Sequence, residues 1–137
     1  MYERILAAVD ESQTAERVLA AAQELATLSN GEVIVLNVWQ GEPARYKACT
    51  ATSYERARVM VETAEKHLAG AGIRATGEVA ANLYIHAARE ITSCARAHDV
   101  GVIVIGSSHR SELAALVAGS TAHQVVHTAT CPVVVVP

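Results

Sequence analysis

The chain has 137 residues, the size of one ordinary domain, enough to bury roughly 65–70% of its unfolded surface and too few for a second core. Apolar residues make up 51%, chiefly Ala and Val, with aromatics at 4%, a mixture that suits small-residue helices packed on β-branched strands. Lys plus Arg number 11 against 14 Asp plus Glu, a net charge of -3, so no broad cationic surface exists to attract nucleic acid or an anionic membrane, and neither partner is expected.

Ile5 to Val9 is a short apolar run ended by Asp10-Glu11-Ser12, which reads as a strand covered on both faces. From Ser12, a reasonable N-cap, the residues Ala15, Val18, Leu19, Ala22, Leu25 and Ala26 recur at helical spacing until Asn30-Gly31 supplies a left-handed stop. Val33 to Val38 is a second buried strand, and a polar loop with Gly41 and Pro43 is expected from Gln40 to Thr52, mobile and followed by a helix capped at Ser53. That helix turns Ala57, Val61, Ala64 and Leu68 inward and closes at Gly70-Ala71-Gly72. Ile73 to Val79 alternates enough to be an edge-like strand, and a third helix over Leu83 to His98 places Tyr84, Ala88, Ile91 and Ala95 on one side. Val100 to Ile105 is a fourth strand ending at Gly106, a surface segment follows over 107–118, and a fourth helix opens at Gly119-Ser120-Thr121. Cys131-Pro132 forbids its continuation, and Val133 to Val136 is a fifth strand.

Strictly alternating strands and helices imply one α/β domain with a parallel sheet wound through right-handed crossovers. Periodicity does not order the strands in space, but the apolar first and fourth strands suit the centre. If they adjoin, the crevice outside their carboxyl ends is the expected ligand site. Asp10 ends the first strand, Gly106 ends the fourth, and Gly119-Ser120-Thr121 opens a helix whose free N–H groups and positive dipole end can hold phosphate. The plainer alternative is that Gly106 merely ends a strand and Gly119-Ser120 merely caps a helix.

Three widely spaced cysteines, Cys49, Cys94 and Cys131, fit neither a disulfide framework nor a CxxC motif, which points to a reducing compartment. The apolar run after Met1-Tyr2-Glu3-Arg4 is too short for a signal-peptide core or a membrane span, so a cytoplasmic location is expected. Cys94 and Cys131 read as small core hydrophobes, with Cys49 exposed in its polar loop. His123 and His127 lie four apart on the last helix, but no third ligand is near in sequence, and a solvated face is the better reading. His86 and His98, near the ends of the third helix, are expected to meet solvent or local carbonyls, and Trp39 either packs or flanks the crevice. No metal site is expected.

Gly106-Ser107-Ser108-His109-Arg110, the nine residues from Arg110 to Ala118, then Gly119-Ser120 and the ending Cys131-Pro132-Val133-Val134-Val135-Val136 resemble the signature of the universal stress protein family. Ile5-Leu6-Ala7-Ala8-Val9-Asp10-Glu11-Ser12 and Val33 to Val38 fit the same pattern, so the resemblance spans essentially the whole chain. It implies a doubly wound five-stranded sheet in the order 3-2-1-4-5 with helices on both faces, the adenine nucleotide alpha hydrolase-like fold. It also implies a stress-response regulator that binds ATP or AMP, with or without Mg. Carried over residue by residue, Gly106, Ser107, Gly119, Ser120 and Thr121 would line phosphates and ribose. Ala8, Val9 and Asp10, with the backbone of Val38 and Ile105, would enclose adenine and ribose. His109 stands where the family motif has its second glycine, which costs about 1 kcal/mol of local strain if a positive φ is required there. His109 and Arg110 can instead donate charge-assisted hydrogen bonds to a phosphate, so a weaker or shorter-phosphate ligand is expected.

An enzyme is not expected: there is no GxSxG elbow, no cysteine paired with an obvious histidine and no acidic cluster. A receiver domain would need an acceptor Asp after the third strand and a Lys after the fourth, where Val79-Ala80-Ala81-Asn82 and Gly106-Ser107-Ser108 stand. A Rossmann dehydrogenase fails at Asp10-Glu11-Ser12-Gln13, which replaces the glycine-rich turn. The remaining readings are a nucleotide-binding regulator of some client protein and a nucleotide-free interaction scaffold, with slow ATP hydrolysis as a third. An apolar, uncharged last strand at a sheet edge invites pairing, and the resemblance implies a homodimer through Val133 to Val136.

Overall fold

The computed structural model describes residues 1–40, 50–82, 87–107 and 121–137. Its elements, in chain order, are β1 (Arg4–Val9), α1 (Ala15–Ser29), β2 (Glu32–Gln40), α2 (Thr50–Gly70), β3 (Ala75–Asn82), α3 (Ala87–Ala97), β4 (Val102–Gly106), α4 (Thr121–Thr128) and β5 (Val133–Val136). The five strands form one sheet in the order β3-β2-β1-β4-β5. Every neighbouring pair is parallel, with Ile5 of β1 opposite both Val33 of β2 and Val102 of β4. The apolar β1 therefore lies at the centre, and β1 and β4 adjoin as the crevice argument required.

Side chains alternate across a sheet, so one strand feeds two cores. Ile5, Ala7, Val9, Val33, Val35 and Val104 face α1 and α2, where they meet Val18, Ala22, Ala26, Val61 and Leu68. Leu6, Ile34, Leu36, Ile103 and Ile105 face α3 and α4, packing on Ala88, Ile91, Ala95, Ala122 and Val125. The inward stripe expected for the second helix, Ala57, Val61, Ala64 and Leu68, is buried along its length.

Several boundaries differ from the sequence reading for local reasons. Ser12 is not the first helix's cap: its N–H is taken by the Asp10 carboxylate at 2.8 Å, and its hydroxyl lies 2.6 Å from that of Thr14. The chain thus turns before α1, whose cap position is Thr14. Asn30 supplies the left-handed residue at φ 54°, and Gly72 does so after α2 at φ 81°, a conformation glycine adopts without penalty. Helix α2 begins at Thr50, so Gln40 belongs to β2, Ser53 lies inside the helix, and only 41–49 of the expected loop falls outside the described residues. Ile73 precedes β3 and is buried as a core residue, and Val100 likewise precedes β4. Leu83, Tyr84 and His86 lie outside the described residues, as do Cys49 and residues 108–118.

Candidate functional site

A cavity of about 390 Å³ opens where β1 and β4 end, within the range of roughly 300–1,000 Å³ usual for small-molecule sites. Parallel strands on either side of a switch in winding direction send their crossovers to opposite faces, and the crevice lies between the diverging connections. Ala8, Val9 and Asp10 of the β1 end and Ile105 and Gly106 of the β4 end line it. Leu36, Asn37 and Val38 add the β2 side, Ala87 and Ile91 of α3 the roof, and Thr121 the start of α4. One part of the hollow is thus apolar, and the carboxylate of Asp10 and the N-terminal turn of α4 bound another.

These placements bring together most of the residues expected from the sequence. Ser107 is the exception among the described ones: it is half-buried, does not line the cavity, and donates its N–H to the Val136 carbonyl at 2.8 Å, extending the β4–β5 ladder. His109, Arg110, Gly119 and Ser120 lie outside the described residues. Gly106 has a packing reason of its own, since a Cβ there would sit 2.6 Å from the Thr14 hydroxyl oxygen. The missing side chain lets the start of α1 close against the end of β4.

Four polar lining residues were not among the expected site residues: Glu11 and Thr14 beside Asp10, and, from other elements, Asn37 and Arg56. Asn37 is 5% exposed, and its amide nitrogen donates to the Met60 sulfur at 3.0 Å, a weak acceptor easily exchanged for a better one. Arg56 of α2 lines the rim and pairs with Glu11 at 3.7 Å, both side chains well exposed. The signal for Asn37 was a lone amide within an apolar strand. Arg56 gave none, because on a helix it reads as an ordinary solvated cation.

Elsewhere, His123 and His127 are exposed on α4 with ring centroids 4.5 Å apart and edge-on. The side chain of Trp39 lies outside the described residues. Cys131 packs against the α3–α4 core, and burial pushes its thiol pKa up. Cys94 also packs against that core, as expected, but it and His98 meet a partner that the sequence did not reveal. His98 meets neither solvent alone nor a local carbonyl through its ring: its Nε2 lies 2.8 Å from Glu78 Oε1 of β3. The Cys94 thiol donates to Glu78 Oε2 at 3.6 Å, and burial first, then the Glu78 charge and hydrogen bond, push its pKa up to about 12.

The fold and the crevice at its switch point define a doubly wound α/β protein with a parallel five-stranded sheet. The chain belongs to the universal stress protein family, whose model matches residues 1–137. It is 27% identical over 152 aligned positions to universal stress protein YxiE of Bacillus subtilis, covering 99% of each chain. A universal stress protein from Archaeoglobus fulgidus superposes with a TM-score of 0.79 at 29% identity, covering 100% of both chains. The structure of an Archaeoglobus fulgidus universal stress protein in complex with dAMP gives a TM-score of 0.76 at 27% identity, covering 99% of this chain and 98% of the other. Among the described residues, no helix is long and apolar enough to cross a membrane.

Proposed function

We propose that the chain is a stress-response regulatory protein of the cytoplasm that binds an adenine nucleotide, ATP or AMP, in the cavity at the carboxyl ends of β1 and β4. The observation that carries this reading is the cavity itself, of nucleotide size, with Asp10 on one wall and the start of α4 on another. Adenine fits the apolar part, against Val38, Ile105 and Ile91, and the Asp10 carboxylate is positioned to accept from ribose hydroxyls. Phosphate falls to the start of α4 at Thr121, and Gly119 and Ser120, which precede it in sequence, are expected to add N–H and hydroxyl donors. The Archaeoglobus fulgidus relative bound to dAMP supports the ligand class. Mg is required only if the ligand carries several phosphates.

His109 sharpens the choice of ligand. An imidazole is bulkier than the hydrogen of the motif's second glycine, at whose sequence position His109 stands, so AMP is expected to bind more tightly than ATP and His109→Gly to shift preference toward ATP. Titration calorimetry with ATP, ADP, AMP and cyclic AMP tests the reading. Heat from at least one nucleotide is expected below about 1 mM, and none from any of them at that concentration leaves the nucleotide-free scaffold as the answer.

The same proposal includes a two-fold homodimer through β5, whose signal then passes to a client protein. β5 is an edge strand, and Val134 and Val135 are 38% and 41% exposed, an apolar, uncharged edge suited to pairing. Light scattering at micromolar concentration is expected to give twice the chain mass, and Val135→Lys to give the monomer.

A further inference from the structure

Cys94 and His98 stand one helical turn apart at the carboxyl end of α3, and Glu78 reaches them from the edge strand β3. The Cys94 Sγ, the His98 imidazole nitrogen and a Glu78 carboxylate oxygen all lie within 4.8 Å of one another. In a tetrahedral zinc site, with Zn–S about 2.3 Å and Zn–N or Zn–O about 2.0–2.2 Å, neighbouring ligand atoms stand about 3.5 Å apart. The two Glu78 oxygens already reach both partners, Oε1 at 2.8 Å from His98 Nε2 and Oε2 at 3.6 Å from Cys94 Sγ, distances on either side of that value.

We propose that Glu78, Cys94 and His98 form a Zn²⁺ site that ties the edge strand β3 to the end of α3, distinct from the cavity at β1 and β4. A soft thiolate beside an imidazole selects a zinc-like ion over Mg²⁺ or Ca²⁺, which take oxygen ligands. All three residues are half-buried, so the site is open enough for a water to complete the coordination and sheltered enough to hold its ligands. On binding, the Cys94 S–H bond breaks, its proton passes to solvent, and a Zn–S bond forms. His98 contributes the lone pair of an unprotonated ring nitrogen, Glu78 contributes a carboxylate oxygen, and no electron changes hands. In the metal-free protein the thiol proton sits on the Glu78 hydrogen bond, so the same contact that holds the empty cluster together is the one the ion replaces. Arg4 steadies the arrangement from the amino end of β1, its Nη1 donating to the His98 carbonyl at 3.1 Å while its Nε pairs with Glu32.

The test uses the full chain, reduced and stripped with a chelator. Titration with Co²⁺ is expected to give the near-ultraviolet thiolate-to-cobalt charge-transfer band, and Zn²⁺ to bleach it at one equivalent. Cys94→Ser abolishes the band, and Cys94→Ser and His98→Asn each weaken Zn²⁺ at least about 100-fold in competition with a chromophoric chelator, whereas Glu78→Gln costs about tenfold. Cys49→Ser, Cys131→Ser and His123→Ala leave both readouts as they are. No charge-transfer band in the wild type, a band that survives Cys94→Ser, or affinity lost with His123→Ala would each overturn the proposal. If Cys94→Ser does not fold, His98→Asn, whose side chain is half-exposed, decides alone: unchanged zinc affinity sinks the site.

Discussion

The cavity above β1 and β4 spreads its polar groups round a space of about 390 Å³, whereas Glu78, Cys94 and His98 hold their ligand atoms within 4.8 Å of one another. The first arises where neighbouring crossovers diverge to opposite faces, leaving room for a molecule. The second arises where the end of one helix meets an edge strand, leaving room for an ion. One fold thus makes two kinds of hollow, and the difference lies in how tightly the elements converge. The two differ also in their chemistry. Asp10 and Arg56 are solvated, and their charges act over distance, while the Cys94 thiol is driven to its neutral form by burial and the carboxylate beside it.

The largest contrast should appear in thiol reactivity. With its pKa raised to about 12 from 9.0, Cys94 in metal-free protein near pH 8 has a thiolate fraction roughly a thousandfold below that of an unperturbed cysteine. Alkylation followed on the Cys94 peptide by mass spectrometry is expected to be slow to match, and labelling at the rate of a model thiol would break the contrast. Next comes Val38→Trp, which fills the cavity with an indole. Nucleotide affinity is expected to fall about 100-fold or more, with zinc affinity within about twofold of wild type, as calorimetry on each ligand would read. Asp10→Ala removes the carboxylate proposed to meet the ribose and the acceptor of the Ser12 N–H, and about tenfold weaker nucleotide binding, about 1.4 kcal/mol, is expected. Arg56→Gln should give the smallest effect, about threefold, and should flatten the salt dependence, because an exposed cation already paired with Glu11 contributes little.

The architecture was legible because β1, β4 and β5 are short apolar runs, β2 is one broken only by Asn37 between its charged start and polar end, and each early helix ends on a residue suited to left-handed geometry, Asn30 and Gly72. The inward stripe of α2 followed from spacing alone. Boundaries were less legible where side chains compete for backbone groups, as when Asp10 claims the Ser12 N–H and delays α1 to Ala15. In the cavity, Asp10 and Thr121 were readable as a strand end and a helix start. Arg56 and Asn37 were not, since they come from α2 and from within β2, and only the packed sheet brings them to the same hollow. Cys94 and His98 carried a visible one-turn spacing, but their third member sits 16 residues before Cys94, on a strand whose alternation had marked it only as exposed edge. Pairing across a crossover is a product of the fold, not of spacing.

The central claim is that an adenine nucleotide occupies the crevice between Asp10 and α4. A crystal structure of the protein grown with saturating AMP tests it most directly. Density for the base against Val38 and Ile105, the ribose at Asp10 and the phosphate at Thr121 is the predicted result. A crevice left empty at saturation, or AMP bound elsewhere on the molecule, would contradict it.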